Sequence, residues 1–367
     1  MAKKTTPAGV LQSVGRVLLV ILITVLLLAL FVAAVLGVVI HGPSSDARRL
    51  MVLSLNETSA LKFVPHLFLS NAKVEAILHP SDDAANGGDA GEPFVELGFE
   101  PGSTQAATQA ETQEPGQVVV SVDPILTGNG QVVEVQAIKG STFKGKLMII
   151  RDPSKVIVGT LDNYGAAYHG LYLYRRPGDA EDGFIEKYDA LGGTNAGGFY
   201  DPGGYGNGGT PDGLVIRNGA IAWGSPGTWY INVIGFDANH ILHVGDMSGQ
   251  DALNLGMTSA VSFSPGPVLV KDGVMRTGLG GGLNPRTCIG QTADGTILLM
   301  VLEGRKPDSM GATYDDIAQL MYNYGAVNAA NLDGGSSSLM YYNGEQITRG
   351  SNLIGMRQMS TAILVLK

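Results

Sequence analysis

The feature that most constrains this fold is an uncharged apolar run near the N-terminus, Val17 to Ile40, which only Thr24 and Gly37 interrupt. About 20 consecutive apolar residues are enough for a helix that crosses a bilayer. The run is also longer than the apolar region of a signal peptide. The sequence therefore predicts one transmembrane signal-anchor at residues 17–40, after a cytoplasmic N-terminus of residues 1–16.

The charges that flank this run favour one orientation. Lys3, Lys4 and Arg16 precede it, whereas Arg48 and Arg49 follow it together with an acidic neighbour. Basic residues concentrate on the cytoplasmic side of membrane helices. We therefore expect a single-pass protein of the cell membrane, with the N-terminus inside and the C-terminal part extracellular.

The cysteine content also bears on location. Cys288 is the single cysteine, so the chain cannot form an intrachain disulfide. Extracytoplasmic proteins of animals usually carry disulfides. A cell-surface protein with one cysteine is more typical of a bacterium.

The net charge of −9 is concentrated in residues 80–116, which hold eight acidic side chains and no basic one. The rest of the chain is close to neutral and lacks the basic character that nucleic-acid binding needs. The same segment is rich in Gly, Ala, Gln, Thr and Pro, so it cannot bury enough apolar surface to offset its chain entropy. It predicts an acidic disordered linker and no nucleic-acid partner.

Two folded regions are predicted on either side of that linker. Residues 56–79 show helical patterns in two pieces that Pro65 separates, which indicates that residues 41–79 form a juxtamembrane helical stalk. From residue 117 onward, short β-branched runs alternate with Gly, Pro and Asp, as is typical of strands. Residues 117–367 therefore predict one α+β domain, strand-rich, with mixed sheets and a few helices.

The clearest element order lies near the C-terminus. Thr296–Leu302 predicts a buried strand, Thr313–Asn323 a helix, and Val327–Leu332 the next strand. Ligands usually meet the backbone at strand ends in such a unit. Asp333 follows the second strand and is therefore a candidate site residue.

Two explanations fit the residues that come after Asp333. Gly334 and Gly335 could supply the positive φ angles of a turn, or they could let a ligand approach the main chain. Three serines follow and add hydroxyl groups. Taken alone, the segment fits a polar turn between strands as well as a substrate site.

Three arginines stand beside turns or strand ends, namely Arg286, Arg305 and Arg357. The arginine fork suits phosphate and carboxylate groups. Asp201 and Asp212 lie in or beside a glycine-rich segment and could hold a divalent cation, although no ligand spacing demands one. The sequence predicts no metal-ligand set and no other cofactor.

Four blocks of residues occur in an order that resembles the phosphodiester glycosidase family. They are Gly192–Tyr200, Asn284–Thr287, Glu303–Arg305 and Asn331–Ser337. The resemblance covers roughly residues 143–367 and leaves the anchor and the linker outside. It implies cleavage of the bond between the anomeric carbon of a sugar and a phosphate, and in bacteria an association with exopolysaccharide.

Carried over onto this chain, the resemblance implies a site with two kinds of residue. Asp333 and Glu303 would be catalytic, with Asp333 acting at the anomeric centre as nucleophile or base. The substrate would be bound by Asn195, Arg286, Arg305, Arg357, Gly334, Gly335, Ser336 and Ser337. Asn195 would bind sugar hydroxyls or an acetamido group. Two positions depart from the usual pattern of the family, which has glycine in place of Ser336 and aspartate in place of Glu303.

The chemistry that the resemblance implies is reasonable for these residues. A phosphate monoester leaves as a stable anion, so it needs less protonation than an alkoxide and more positive charge around it. The expected function is an extracytoplasmic hydrolase, a glycosidase that cleaves a sugar 1-phosphodiester in surface glycan or polymer metabolism. Two alternatives remain: a module that binds phosphodiester-containing surface polysaccharide without turnover, and an assembly protein for such a polymer.

Overall fold

The structure is a computed structural model, and it describes residues 7–58, 61–78, 133–202, 206–264, 266–351 and 355–367. The predicted acidic linker, residues 80–116, lies outside the described residues. The predicted start of the C-terminal domain at residue 117 lies outside them as well. Both boundaries therefore stay predictions.

The N-terminal part of the chain is helical. Its helices are α1 (Pro7–His41), α2 (Ser45–Asn56), α3 (Pro65–Phe68) and α4 (Asn71–Leu78). The 28 residues of α1 from Val14 to His41 form the one helix of the described residues that is long and apolar enough to cross a membrane. The predicted N-terminal apolar helix is confirmed.

The C-terminal part is built mainly from strands, as predicted. Its helices are α5 (Phe184–Lys187), α6 (Gly249–Asn254) and α7 (Tyr314–Asn323). Its strands are β1 (Val133–Lys139), β2 (Lys144–Ile150), β3 (Val156–Thr160), β4 (Ala190–Asn195), β5 (Val215–Arg217), β6 (Ala220–Trp223), β7 (Trp229–Asp237), β8 (Leu242–Ser248), β9 (Met257–Ser262), β10 (Val268–Lys271), β11 (Val274–Met275), β12 (Arg286–Thr292), β13 (Ile297–Leu302), β14 (Ala326–Asn331), β15 (Met340–Tyr342), β16 (Glu345–Gln346) and β17 (Thr361–Leu366). The α+β class is confirmed.

The strands form three sheets. One sheet has seven strands in the order β1-β2-β13-β12-β14-β10-β11, and two sheets have five, in the orders β16-β15-β4-β17-β3 and β6-β5-β9-β7-β8. The strand pairs within the described residues are antiparallel, which corrects the predicted mixed pairing. The predicted strand–helix–strand unit exists as β13, α7 and β14. Its two strands do not pair with each other, because β12 lies between them and is antiparallel to both.

One apolar cluster joins the three sheets. It includes Leu299 from the seven-stranded sheet, Ile363 from the second sheet and Val261 from the third, all fully buried. Full burial of a side chain of this size contributes about 1.5–3 kcal/mol relative to exposure. A second cluster packs α7 on the seven-stranded sheet. Thr313 caps α7 by accepting a hydrogen bond from the Asp316 N–H.

The ends of β4 and β14 and the start of β12 meet at one place. The Asp333 N–H donates to the Ala196 carbonyl oxygen over 2.9 Å, and the Leu332 N–H donates to the Thr287 carbonyl oxygen over 2.8 Å. These backbone bonds tie the segment after β14 to the other two strands. Two different sheets thus contribute to one rim.

Candidate active site

A pocket of about 430 Å³ opens at this rim. That volume lies in the usual range for small-molecule sites. Eight of the ten residues predicted for the site line the pocket: Arg286, Arg305, Arg357, Asp333, Gly334, Gly335, Ser336 and Ser337. The structure therefore brings together most of what the sequence marked, from segments far apart in the chain.

Asp333 lines the pocket, and its pKa is raised. The Gly334 N–H donates to its Oδ1 over 2.8 Å. Burial raises the pKa of Asp333 to about 6, although the Ser337 side chain and the charge of Arg357 act in the opposite direction. The carboxyl group can therefore exchange a proton near neutral pH, which suits a base or nucleophile.

The segment after Asp333 is both a turn and a wall of the pocket. Gly335 opens a 3₁₀ turn that ends at Ser337, and its φ of +61° lies in the left-handed region that favours glycine. A Cβ at this position would lie 3.2 Å from Arg305 Nη2. The Gly335 N–H donates to the Pro285 carbonyl oxygen over 2.9 Å, which holds the turn close to the arginine.

Arg357 is held beside the same turn. Its guanidinium group forms an ion pair with Asp201 and lies 4.8 Å from the centre of the Phe199 ring. Its Nη1 donates to Ser336 Oγ over 3.2 Å. Ser336 stands where the resemblance leads one to expect glycine, and its hydroxyl group supplies a contact that glycine could not make.

Arg286 is almost completely buried, with 3% of its surface exposed. Its Nε donates to the Ala312 carbonyl oxygen over 3.0 Å, and the guanidinium carbon lies 3.8 Å from the centre of the Tyr314 ring. Its Nη2 lies 2.8 Å from Glu57 Oε2. The guanidinium group is held rigidly at the pocket wall, with its charge balanced by a residue from the N-terminal helical region.

Arg305 differs from the other two arginines. It donates from Nε and Nη2 to Asn284 Oδ1 over 3.3 and 3.0 Å, and no carboxylate of the described residues forms an ion pair with it. Enclosure by the pocket walls, and next the charge of Arg286, lower the pKa of Arg305. The negative charge of a bound anion would offset both effects, so this side chain suits a phosphate group.

Two predicted site residues do not line the pocket. Asn195 is buried behind it, donates from Nδ2 to the Asp333 carbonyl oxygen, and accepts from Thr287 Oγ1 over 2.9 Å. Glu303 points to Arg349, whose Nε donates to Glu303 Oε2 over 2.6 Å and whose N–H donates to Oε1 over 2.8 Å. Asn195 therefore supports the backbone of Asp333, and Glu303 forms a separate ion pair.

Two charged residues of the pocket were not predicted from the sequence, namely Lys62 and Glu57. Glu57, at the C-terminal end of α2, accepts from the Gly282 N–H and from Asn284 Nδ2, each over 2.8 Å, besides its ion pair with Arg286. Glu57 and Arg286 are separated by more than 200 positions, including the acidic segment. No local pattern marks such a pairing.

The pocket also holds the two aspartates that were considered for a cation. Asp201 and Asp212 both line it, but Asp201 is paired with Arg357. In the part of the chain that the structure describes, no group of three or more His, Cys, Asp or Glu side chains could hold a metal ion.

Comparison with known sequences gives two matches. The model of the family described as phosphodiester glycosidase matches residues 188–366. An uncharacterized protein derived from the SPbeta prophage of Bacillus subtilis (strain 168), YomE, is 31% identical over 149 residues, which are 38% of this chain and 23% of that protein. The chain thus spans less than a quarter of the length of this relative.

Two solved structures align with the chain. The catalytic domain of zebrafish N-acetylglucosamine-1-phosphodiester alpha-N-acetylglucosaminidase, auto-inhibited by its pro-peptide, aligns with a TM-score of 0.50 and 19% identity over 68% of this chain and 88% of that chain. An exported protein of Burkholderia pseudomallei aligns with a TM-score of 0.44 and 15% identity over 63% of this chain and 74% of that chain. The zebrafish likeness shows a common architecture.

Proposed function

Since residues 188–366 are a phosphodiester glycosidase domain, we propose that the chain is an extracytoplasmic glycosidase that hydrolyses the bond between a sugar's anomeric carbon and a phosphodiester. The observation that carries this proposal is the arrangement of the pocket. Asp333, with a pKa raised to about 6, shares it with three arginines, and Arg305 has no carboxylate partner among the described residues. A carboxyl group beside a phosphate-binding surface is what this reaction needs.

The roles follow from the contacts. Asp333 acts at the anomeric carbon as nucleophile or base, and the N–H of Gly334 orients its carboxylate. Arg305 binds the phosphate, and Arg286 and Arg357 add positive charge as the leaving group takes up the electron pair. Asn195 positions the backbone of Asp333, because its side-chain nitrogen and oxygen both form hydrogen bonds within the protein.

The raised pKa of Asp333 predicts a pH dependence. If the ionised carboxylate is the reactive form, kcat/KM rises about tenfold per pH unit below pH 6 and levels off above it, since the pKa is raised to about 6. The measurement is kcat/KM between pH 4.5 and 8.5, with the melting temperature followed at each pH. A flat profile over this range would contradict the assignment.

The N-terminal region supports a location at the cell membrane. The side chains of α1 from Val17 to Val38 are mostly exposed, whereas Ile40, in its last turn, is completely buried against the helices that follow. The end of α1 is therefore part of the folded structure, as expected for an anchor that stays attached. We place the N-terminus inside the cell and the pocket outside, on the charge bias around α1.

The test is to identify the bond that breaks. The full chain in detergent is incubated with a panel of hexose and N-acetylhexosamine 1-phosphate methyl esters in ¹⁸O-labelled water, and the products are weighed by mass spectrometry. Attack at the anomeric carbon places the label in the sugar. Label in the phosphate would indicate a phosphodiesterase and overturn the proposal. Binding of an ester without any product would favour the non-catalytic polysaccharide-binding alternative.

A further inference from the structure

We propose that the natural substrate is membrane-borne, with a lipid alcohol as the second ester of the sugar 1-phosphate. This inference rests on the proposed function and concerns the same pocket. It follows from how the helices between α1 and the linker are placed. We name residues 45–58 and 61–78, which contain α2, α3 and α4, the collar.

The collar holds the end of the membrane helix. Arg48 donates from Nε and Nη2 to the carbonyl oxygens of Ile40 and Gly42 over 2.5 and 2.8 Å. Near the same end of α1, a Cβ at Gly37 would lie 3.6 Å from the ring of Phe68, the last residue of α3. The last turn of α1 is thus packed directly against α3.

The length of α1 places that turn relative to a bilayer. The 28 residues from Val14 to His41 span about 42 Å at 1.5 Å per residue. This matches the roughly 40–45 Å of a bilayer with its headgroup regions, whereas the hydrocarbon core takes about 30 Å. The last turn of α1, and with it α3, therefore lies at headgroup level.

The collar exposes large apolar side chains at this level. Phe63 and Leu67 are 60% and 69% exposed and stand four residues apart, and Leu61 is 41% exposed. Leu67 lies in α3, which contacts α1 near Gly37, and Leu61 and Phe63 lie just before α3. We therefore infer that the three side chains continue the lipid-facing surface of α1. In water this patch would be costly, whereas at a bilayer surface it inserts among the lipids.

The same collar forms one wall of the pocket. Asn56, Glu57 and Lys62 line it, and Lys62 lies between the exposed Leu61 and Phe63 in the sequence. The 12 residues of α2 span about 18 Å. The pocket wall at the C-terminal end of α2 therefore lies at most about this far above the end of α1. The pocket is therefore bordered by a segment that touches the bilayer.

This arrangement favours a lipid phosphodiester over a soluble one. Its phosphate would lie near Lys62 and the pocket arginines, its sugar inside the pocket beside Asp333, and its chain among the lipids around Phe63 and Leu67. In the reaction the anomeric C–O bond breaks and water supplies the new oxygen at that carbon. The lipid phosphate monoester leaves with the electron pair and stays in the membrane.

The experiment compares two esters of the same sugar 1-phosphate, one with methanol and one with the C15 isoprenol farnesol. The full chain is reconstituted into phosphatidylcholine vesicles, and sugar release is measured for the same sugar panel. We expect the farnesyl ester to be cleaved at least tenfold faster. In a Phe63→Ser, Leu67→Ser double variant, farnesyl ester cleavage should fall at least tenfold and methyl ester cleavage at most twofold.

A matched control is Leu255→Ser, which removes an exposed leucine at the end of α6, outside the pocket. It should leave both rates unchanged. Equal rates for the two esters in the wild type, or equal losses for both in the double variant, would overturn the lipid substrate while leaving the glycosidase intact. Failure to release sugar from either ester would instead contradict the proposed function itself.

Discussion

Replacing Asp333 by Asn is expected to lower sugar release from a phosphodiester about 10³-fold, because general-base or nucleophilic catalysis by a carboxylate typically contributes a factor of this order. The substitution keeps the size of the side chain, and the Gly334 N–H can still donate to the amide oxygen. The measurement is the turnover rate of the full chain in detergent at pH 7.5, for wild type and variant.

The same substitution is expected to raise the melting temperature at pH 7.5. The pKa of Asp333 is raised from 3.8 to about 6 in the folded protein. The folded state therefore binds the proton more tightly than the unfolded chain, and stability falls as the pH rises from about 4 through 6. Asn carries no charge and avoids this loss, so the variant should be more stable and less active.

The control for Asp333 is Asp212→Asn, which removes a negative charge from the same pocket. We expect it to stay within about fivefold of the wild type, since Asp212 is exposed and has no role in the proposed chemistry. A folded Asp333→Asn variant that keeps a tenth or more of the wild-type turnover would refute the catalytic assignment.

Replacing Glu57 by Gln is expected to loosen the collar from the domain. Glu57 accepts from Gly282 on one oxygen and from Asn284 and Arg286 on the other. A glutamine has a single acceptor oxygen, so its NH₂ group must face at least one of these donors. Each hydrogen bond to a charged group is worth about 1.5–3 kcal/mol, and Arg286 is left buried without its anion.

Two amides report this change directly, because the Gly282 N–H donates to Glu57 Oε1 and the Leu283 N–H donates to Ser54 Oγ. Hydrogen exchange at both should become roughly 10- to 100-fold faster, about 1.4–2.7 kcal/mol of lost protection at 1.36 kcal/mol per tenfold. Glu186→Gln is the matched control, since Glu186 also accepts from backbone N–H groups, but far from the collar. Unchanged exchange in Glu57→Gln would show that the contact contributes nothing.

Three strands of the fold could not be predicted from their own residues. β4 reads ALGGTN, and β9 and β12 are also rich in small or polar residues. Their place in a sheet depends on neighbours: a Cβ at Gly193 in β4 would lie 2.4 Å from the Ile363 carbonyl oxygen, so only glycine allows β4 and β17 to approach so closely. A search for β-branched residues cannot find strands whose residues are small because a neighbouring strand lies so close.

The hairpins, in contrast, were predictable because their signals are local. Asn218-Gly219, Asp272-Gly273 and Asn343-Gly344 all have positive φ angles at both positions and join antiparallel strands. Such turns need residues that tolerate the left-handed region, and Asn-Gly and Asp-Gly supply them.

Some residues of the predicted site likewise have local sequence signals, whereas others depend on residues far away in the chain. Arg305, Arg357 and the segment after Asp333 were marked by their own sequence surroundings, and the structure brings them into one pocket. The orientation of Glu303 depends on Arg349, which lies 46 positions away, and a spacing of that kind has no pattern. The same reasoning applies to Glu57, whose part in the pocket exists only because the collar docks there.

The pairing of charges in the pocket has a kinetic consequence. Four cationic side chains line it (Arg286, Arg305, Arg357 and Lys62), and so do four carboxyl groups (Glu57, Asp201, Asp212 and Asp333). At a distance these charges nearly cancel, so the pocket exerts little long-range attraction on an anion, and capture of substrate should change little with ionic strength. A phosphate gains its favourable interactions only after it has entered, when it meets Arg305, with which no carboxylate of the described residues forms an ion pair.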